Sequence, residues 1–401
     1  MLTHSHEPVA SPVRYLPPPG EYSRELTWVL RAAFSEQSAK MPHCVNAQVA
    51  INTATALGLA PRVGGRRSPE WLAEQLDAGS AHVFARHALA ARAAHERVRA
   101  AAIDVLRSAR RVGVPVGVLK HGALWLGQSP NTEFRSANDL DILARPGDAQ
   151  RLWEQLRSEG YADCGHGRRP HHMPTLLNPA TTFVEVHWKV PGIKLERRNA
   201  SLDALMAQGL ARPAKLDEFE VCLPSKDFVA AHLLVHGYVQ HGASPNDYPC
   251  LRMVGDLIDL DIAKHPEGFL TASQAWISHA VGDAEVRAVL ATCDDLRSGY
   301  VPPRTEFAGT VLDHFVMARL DDEYASALRL WRLTELRNAA DWTKLAKRLL
   351  AANPAELGVA PDTPATRLAW RSGRHRLHML RLLLESVIAA NRIRRRRSGR
   401  H

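Results

Sequence analysis

Three short segments hold residues whose types and spacing suit metal-assisted phosphate chemistry. Asp139 and Asp141 stand one residue apart in the run Asp139–Leu143, whose alternation of polar and apolar residues predicts a strand. Successive side chains in a strand alternate faces, so the two aspartates share one face while Leu140 and Ile142 enter the core. Two carboxylates about 7 Å apart on one face repel, and a divalent cation between them relieves the repulsion. The run Thr182–Trp188 predicts a second strand, with Glu185 and His187 on one face and Val184 and Val186 on the other. If it lies beside Asp139–Leu143, Glu185 completes a cluster of three carboxylates. Three hard oxygen donors with room for water and phosphate oxygens suit Mg2+ bound to a nucleotide. Upstream, an apolar run ends at Leu119 and a helix starts near Gly122. Small residues there, Gly122 and Ala123, let backbone N–H groups approach a phosphate. Lys120 and Arg135 could add positive charge at a triphosphate.

The elements that must position these residues fall in a window where strands alternate with helices. Val114–Leu119 predicts a strand, Asp139–Leu143 the next, Gly147–Gly160 a helix and Thr182–Trp188 a third strand. Residues 113–223 therefore form the core of the reading. Residues 1–20, with five prolines, are an irregular lead, and 21–112 are a helical N-terminal region. Its best helix, Ala81–Arg111, contains neither Pro nor Gly. Residues 224–391 read as a helical C-terminal region, and 392–401 as a basic flexible tail. Leu380, Leu383, Leu384, Val387 and Ile388, at helical spacing, predict a final helix packed on the body. No repeat of fixed period is present.

The 401 residues are 45% hydrophobic and 23% charged, as in ordinary globular chains, with Ala and Leu favouring helix. No stretch is long and apolar enough to span a membrane, and no secretory leader is visible. Five scattered cysteines without a CxxC pair argue against a disulfide scaffold and for the cytoplasm. The net charge of +9 is carried by residues 371–401, which hold ten Arg and one acid. The first 370 residues are thus neutral, unlike a protein with a basic docking face, and the tail alone could meet nucleic acid. Cys164, His166, His171 and His172 have no ordinary zinc spacing, and Arg168 and Arg169 among them oppose a cation, so they predict a solvated loop near the site mouth that could touch phosphate or acceptor. His232 and His236 lack the glutamate of a zincin motif. P-loop, dinucleotide-fold and hydrolase-elbow motifs are absent.

Taken in order, Leu119–Ala123, Arg135 with Asp139–Leu143, Gly160–Tyr161 and Glu185–Trp188 resemble the uncharacterised bacterial nucleotidyltransferase family of the DNA polymerase β-like superfamily. His236 followed by Leu251–Leu257 looks like that family's helical part, and the resemblance covers roughly Ala81 to Leu260. Two departures stand out: Gly122 is followed by Ala123 where the superfamily has Gly or Ser, and His121 separates Lys120 from Gly122. The resemblance implies an α+β fold, a small mixed sheet with packed helices embedded in a mostly helical chain. It implies that Asp139, Asp141 and Glu185 bind two Mg2+ ions, with His187, His236 and Asp256 in support. An NTP would then give its nucleotidyl group to a hydroxyl on an unknown acceptor, a small molecule, peptide or protein. The alternatives are a non-catalytic binding protein of this fold and a toxin-like enzyme acting on tRNA.

Overall fold

The computed structural model describes residues 22–36, 46–164, 171–196, 198–240, 250–303 and 311–320, with scattered positions from 377 to 392. The irregular lead and the tail beyond Arg392 lie outside them, as do His166 and its neighbours at 165–170. Five helices come first: α1 (Arg24–Phe34), α2 (Ala47–Ala56), α3 (Ala60–Arg66), α4 (Pro69–Gln75) and the 34-residue α5 (Ala78–Arg111). Side chains cap four of them; Asp77, for example, accepts from Ser80 N at 2.8 Å and starts α5 three residues before the predicted helix. At about 1.5 Å per residue α5 is about 51 Å long, enough to run through two cores. Its Ala81 and Phe84 pack with α1–α4 and the C-terminal helices, and Val98 to Ala109 pack under the sheet.

The sheet is built from β1 (Gly117–Val118), β2 (Asp139–Leu143), β3 (Ala162–Asp163), β4 (Leu176–Leu177) and β5 (Phe183–His187). A side ribbon, β6 (Val190–Leu195) with β7 (Arg198–Ala200), precedes the hairpin of β8 (Ala211–Leu216) and β9 (Phe219–Pro224). The order β3-β4-β5-β2-β1-β9-β8 mixes parallel pairs, β2 with β5 and β1 with β9, with antiparallel ones. The fold is α+β, as the sequence implies. Only Gly117 and Val118 of the predicted Val114–Leu119 strand pair as β-strand, and Pro115 within it has no N–H to offer a ladder. The β8–β9 hairpin goes unread in the sequence because its turn, Asp217–Glu218, lacks glycine; Asp217 itself takes φ 51°.

Helices α6 (Lys120–Leu126) and α7 (Pro146–Ser158) cover the sheet, and α8 (Leu202–Ala207) leads into β8. Trp125, Trp153 and Trp188 lie partly buried against this core, Trp153 donating to Pro174 O at 2.8 Å. Beyond β9 run α9 (Lys226–Leu234), a π-helical stretch at Val235–Gln240, α10 (Cys250–Asp259), α11 (Pro266–Ile277), α12 (Asp283–Ser298) and α13 (Val311–Leu320). They share one apolar core with α1–α3. The face predicted to pack on the body near the C-terminus does not do so where it is described, because Leu384, Val387 and Ile388 are exposed. No helix among the described residues is long and apolar enough to cross a membrane.

Candidate active site

Parallel pairing of β2 with β5 sets Asp139 beside Phe183, Asp141 beside Glu185 and Leu143 beside His187. Residues at matched positions share a face, so Asp139, Asp141 and Glu185 meet on one side, with His187 one pleat further along. Leu140, Ile142, Val184 and Val186, all fully buried, fix that register from the other side, since a slip by one residue would bury the acids. One ligand atom each from Asp141, Glu185 and His187 lies within 4.8 Å of the others. His187 Nε2 is 2.9 Å from Asp141 Oδ1 and 3.4 Å from Glu185 Oε2, and Thr175 Oγ1 donates to Glu185 Oε1 at 3.3 Å. Asp139, half-buried, stands outside this tight group, but its charge still acts within the site.

Lys120, the first residue of α6, closes the cluster. Its backbone is left-handed, φ 46°, a conformation costing a residue with a Cβ about 1 kcal/mol or more. Its nearly buried ammonium sits 2.8 Å from Asp141 Oδ1. Burial works against that charge, but Asp141, Asp139 and Glu185 outweigh it and hold the Lys120 pKa above its ordinary value. The carboxylates divide. Burial and then the charge of Asp141 push the Asp139 pKa up. Burial also opposes ionisation of Asp141, yet Lys120 and the His187 hydrogen bond drive its pKa well below the usual range. Glu185 is lowered because its bond to His187 overcomes its own burial. His187 rises, its bonds to Asp141 and Glu185 overcoming desolvation.

Histidines from distant segments wall this centre. His172, 2% exposed, bridges to His187 in backbone pairing, and His171 stacks on the His187 ring at 5.6 Å. The predicted solvated loop is corrected at these two residues: Met173 N bonds to Val186 O and Trp188 N to His171 O, which draws them into the sheet. His232 of α9 is fully buried and senses Lys120, Asp141, His187 and His171; burial first, then Lys120, lowers its pKa to about 3. His236, one turn on, is half-buried with its ring 6.3 Å from that of His232. Arg135 Nε meets both carboxylate oxygens of Asp256 at 3.0 and 2.9 Å, so these two candidates form one buried ion pair. Gly122 and Ala123 are buried in the first turn of α6, where a Cβ on Gly122 would meet Val118 Cβ at 3.3 Å. The residue between Lys120 and Gly122, His121, turns away to His95 Nδ1 at 3.1 Å.

The donor set fits a divalent cation: two ionised carboxylates and an imidazole offer ligand atoms within 4.8 Å of one another. The model of a family described as uncharacterised nucleotidyltransferase matches residues 43–274, more than half of the chain. The chain belongs to that family. The match reaches beyond the Ala81–Leu260 resemblance on both sides, taking in α2–α4 and most of α11. No curated protein and no solved structure matches the chain. For this nucleotidyltransferase the sequence alone puts the loop of His171 and His172 no closer than the site mouth and misses the approach of His232 to the acids. His232 sits in a wholly apolar stretch, Phe228–Val235, which reads as plain core.

Proposed function

We propose that this nucleotidyltransferase is of the DNA polymerase β-like type and uses Mg2+ to move a nucleotidyl group from an NTP to an acceptor hydroxyl. The parallel β2–β5 register, which brings Asp141 and Glu185 side by side, carries the reading. Asp139, Asp141 and Glu185, with His187, would hold the cation. Bound there, Mg2+ supplies charge stabilisation at the phosphates and acidifies the acceptor hydroxyl. The chain's own residues do the rest. Glu185, a quarter exposed where Asp141 is not, is open to an acceptor, and it or a water beside it takes the acceptor's proton. The acceptor oxygen then bonds to the α-phosphorus as the bond to the β-phosphate oxygen breaks and pyrophosphate leaves. Arg135, fixed by Asp256, and the first turn of α6 at Gly122 and Ala123 would face the phosphates, a preorganised positive surface.

The test is a transfer screen with NTPs labelled at the α-phosphate, offered tRNA, peptides, proteins and small alcohols, with and without Mg2+. Label should move to one acceptor class in the wild type and not in Asp141→Asn. Transfer to tRNA that is lost on deleting Arg392–His401 would make the basic tail a nucleic-acid arm. Equal transfer by wild type and Asp141→Asn would overturn the reading.

A further inference from the structure

We infer that Lys120 is a built-in cation that stands in for one of two metal ions, so this nucleotidyltransferase works with a single divalent ion. The inference rests on the metal-dependent reading of the site and refines it. Three observations carry it. The Lys120 side chain, 9% exposed, has Nζ 2.8 Å from Asp141 Oδ1, the same oxygen that His187 Nε2 reaches at 2.9 Å. Asp141 is the central acid, between Asp139 on its own strand and Glu185 beside it, so it is the one a pair of ions would have to share. Lys120 holds that place at the expense of a left-handed backbone and acts on all three carboxylates.

The charges agree. Asp139, Asp141 and Glu185 carry three negative charges when ionised, which Lys120 and one divalent ion cancel. Two-metal sites space their ions about 3.5–4 Å apart around shared carboxylates. A second ion would need Asp141 Oδ1, the oxygen Lys120 Nζ already meets at 2.8 Å, and would be repelled by that ammonium in a poorly solvated site. One ion remains accommodated, between Glu185, His187 and Asp141, whose donors already converge. That one ion is the one that escorts the incoming nucleotide, and Lys120 covers the charge that a second would have neutralised. Lys120 is thus a positioning and charge-balancing residue whose role shows in metal counting before any catalysis.

The experiment is a Mn2+ titration of the full chain followed by electron paramagnetic resonance, without nucleotide and with α,β-methylene-ATP as the phosphate probe. Wild type should bind one Mn2+ with a mononuclear spectrum under both conditions. Lys120→Met and Lys120→Gln should bind a second ion within about tenfold of the first in affinity, giving an exchange-coupled spectrum. Two ions in the wild type, or one ion in folded Lys120 variants, would overturn the inference while leaving the metal-dependent function standing. No binding by the wild type above that of Asp141→Asn would sink both. Should both variants fail to fold, the wild-type spectrum with α,β-methylene-ATP decides, since coupled ions there contradict a single-ion centre and a mononuclear signal supports it.

Discussion

The two aspartates of β2 should respond to neutralisation in opposite ways. Asp141 accepts from Lys120 at 2.8 Å and from His187 at 2.9 Å, and both partners are nearly or wholly removed from water. Taking away one member of a buried ion pair costs about 3–5 kcal/mol, because the other charge is left uncompensated. Asp139 and Glu185 still attract Lys120, which places Asp141→Asn at the low end, about 3 kcal/mol. Asp139 has the opposite balance: burial and Asp141 hold its pKa up, so its ionised form opposes folding at neutral pH. Asp139→Asn removes that repulsion and should leave stability unchanged or raise it. The sign follows from linkage. The depressed Asp141 pKa contributes stability that is complete above the unfolded value of about 3.9 and is lost as pH falls below it. Urea unfolding at pH 7 in EDTA, followed by circular dichroism, separates the cases. With an m-value of about 3 kcal/mol/M, the Asp141→Asn midpoint should fall by about 1 M. An Asp141→Asn protein as stable as wild type, or two variants shifted alike, would refute the role of Lys120 and His187 as buried partners.

Glu185→Asp should withdraw the carboxylate by one methylene, ~1.5 Å, and lower transfer about 100-fold, with Glu185→Gln lower still; a rate within threefold of wild type in the α-labelled assay would remove Glu185 from the centre. His232, buried neutral with a pKa of about 3, binds its proton more weakly folded than unfolded, so stability should decline as pH falls below the ordinary value near 6.5. Between pH 7 and pH 5 that is about 2 kcal/mol, which His232→Leu should abolish, as read from the difference between the two proteins' urea midpoints. Asp256→Asn should cost about 3 kcal/mol by taking the buried carboxylate from Arg135, and Arg135→Met with Asp256→Leu should recover most of it in thermal melts.

The sheet face of the site was legible because a period of two tells which side chains point together. Asp139 with Asp141, and Glu185 with His187, could be paired by face within their own strands from spacing alone. What spacing cannot express is which strands become neighbours, and the parallel β2–β5 match depends on connections through α7, β3 and β4. Spacing offered Lys120 only as a charge for a phosphate and not as the partner of Asp141, because its direction depends on a left-handed φ that a lysine rarely adopts. Arg135 and Asp256 each drew notice separately; their ion pair spans 121 residues, and no local pattern records such a contact. The histidines were discounted because a motif rule was applied to residues whose neighbours come from other segments. The described flanks are the helices α1–α5 and α9–α13, and the merger of α1–α3 with α9–α13 into one core required the tertiary structure.

The parallel partnership of β1 with β9 has a consequence for how the chain is made. Gly117 pairs with Cys222, about 105 residues later, and the β8–β9 hairpin is the cover for that side of β1. A ribosome adding about 5–20 residues per second leaves roughly 5–20 s between emergence of the two strands. From the emergence of Glu185 to the end of that interval the growing polypeptide carries its acidic centre beside an unsealed sheet edge, the kind of edge that pairs with other chains. Nascent chains of this length are natural clients for a holding chaperone. Products that stop short of Phe219 should accumulate as aggregates rather than as soluble, inactive fragments.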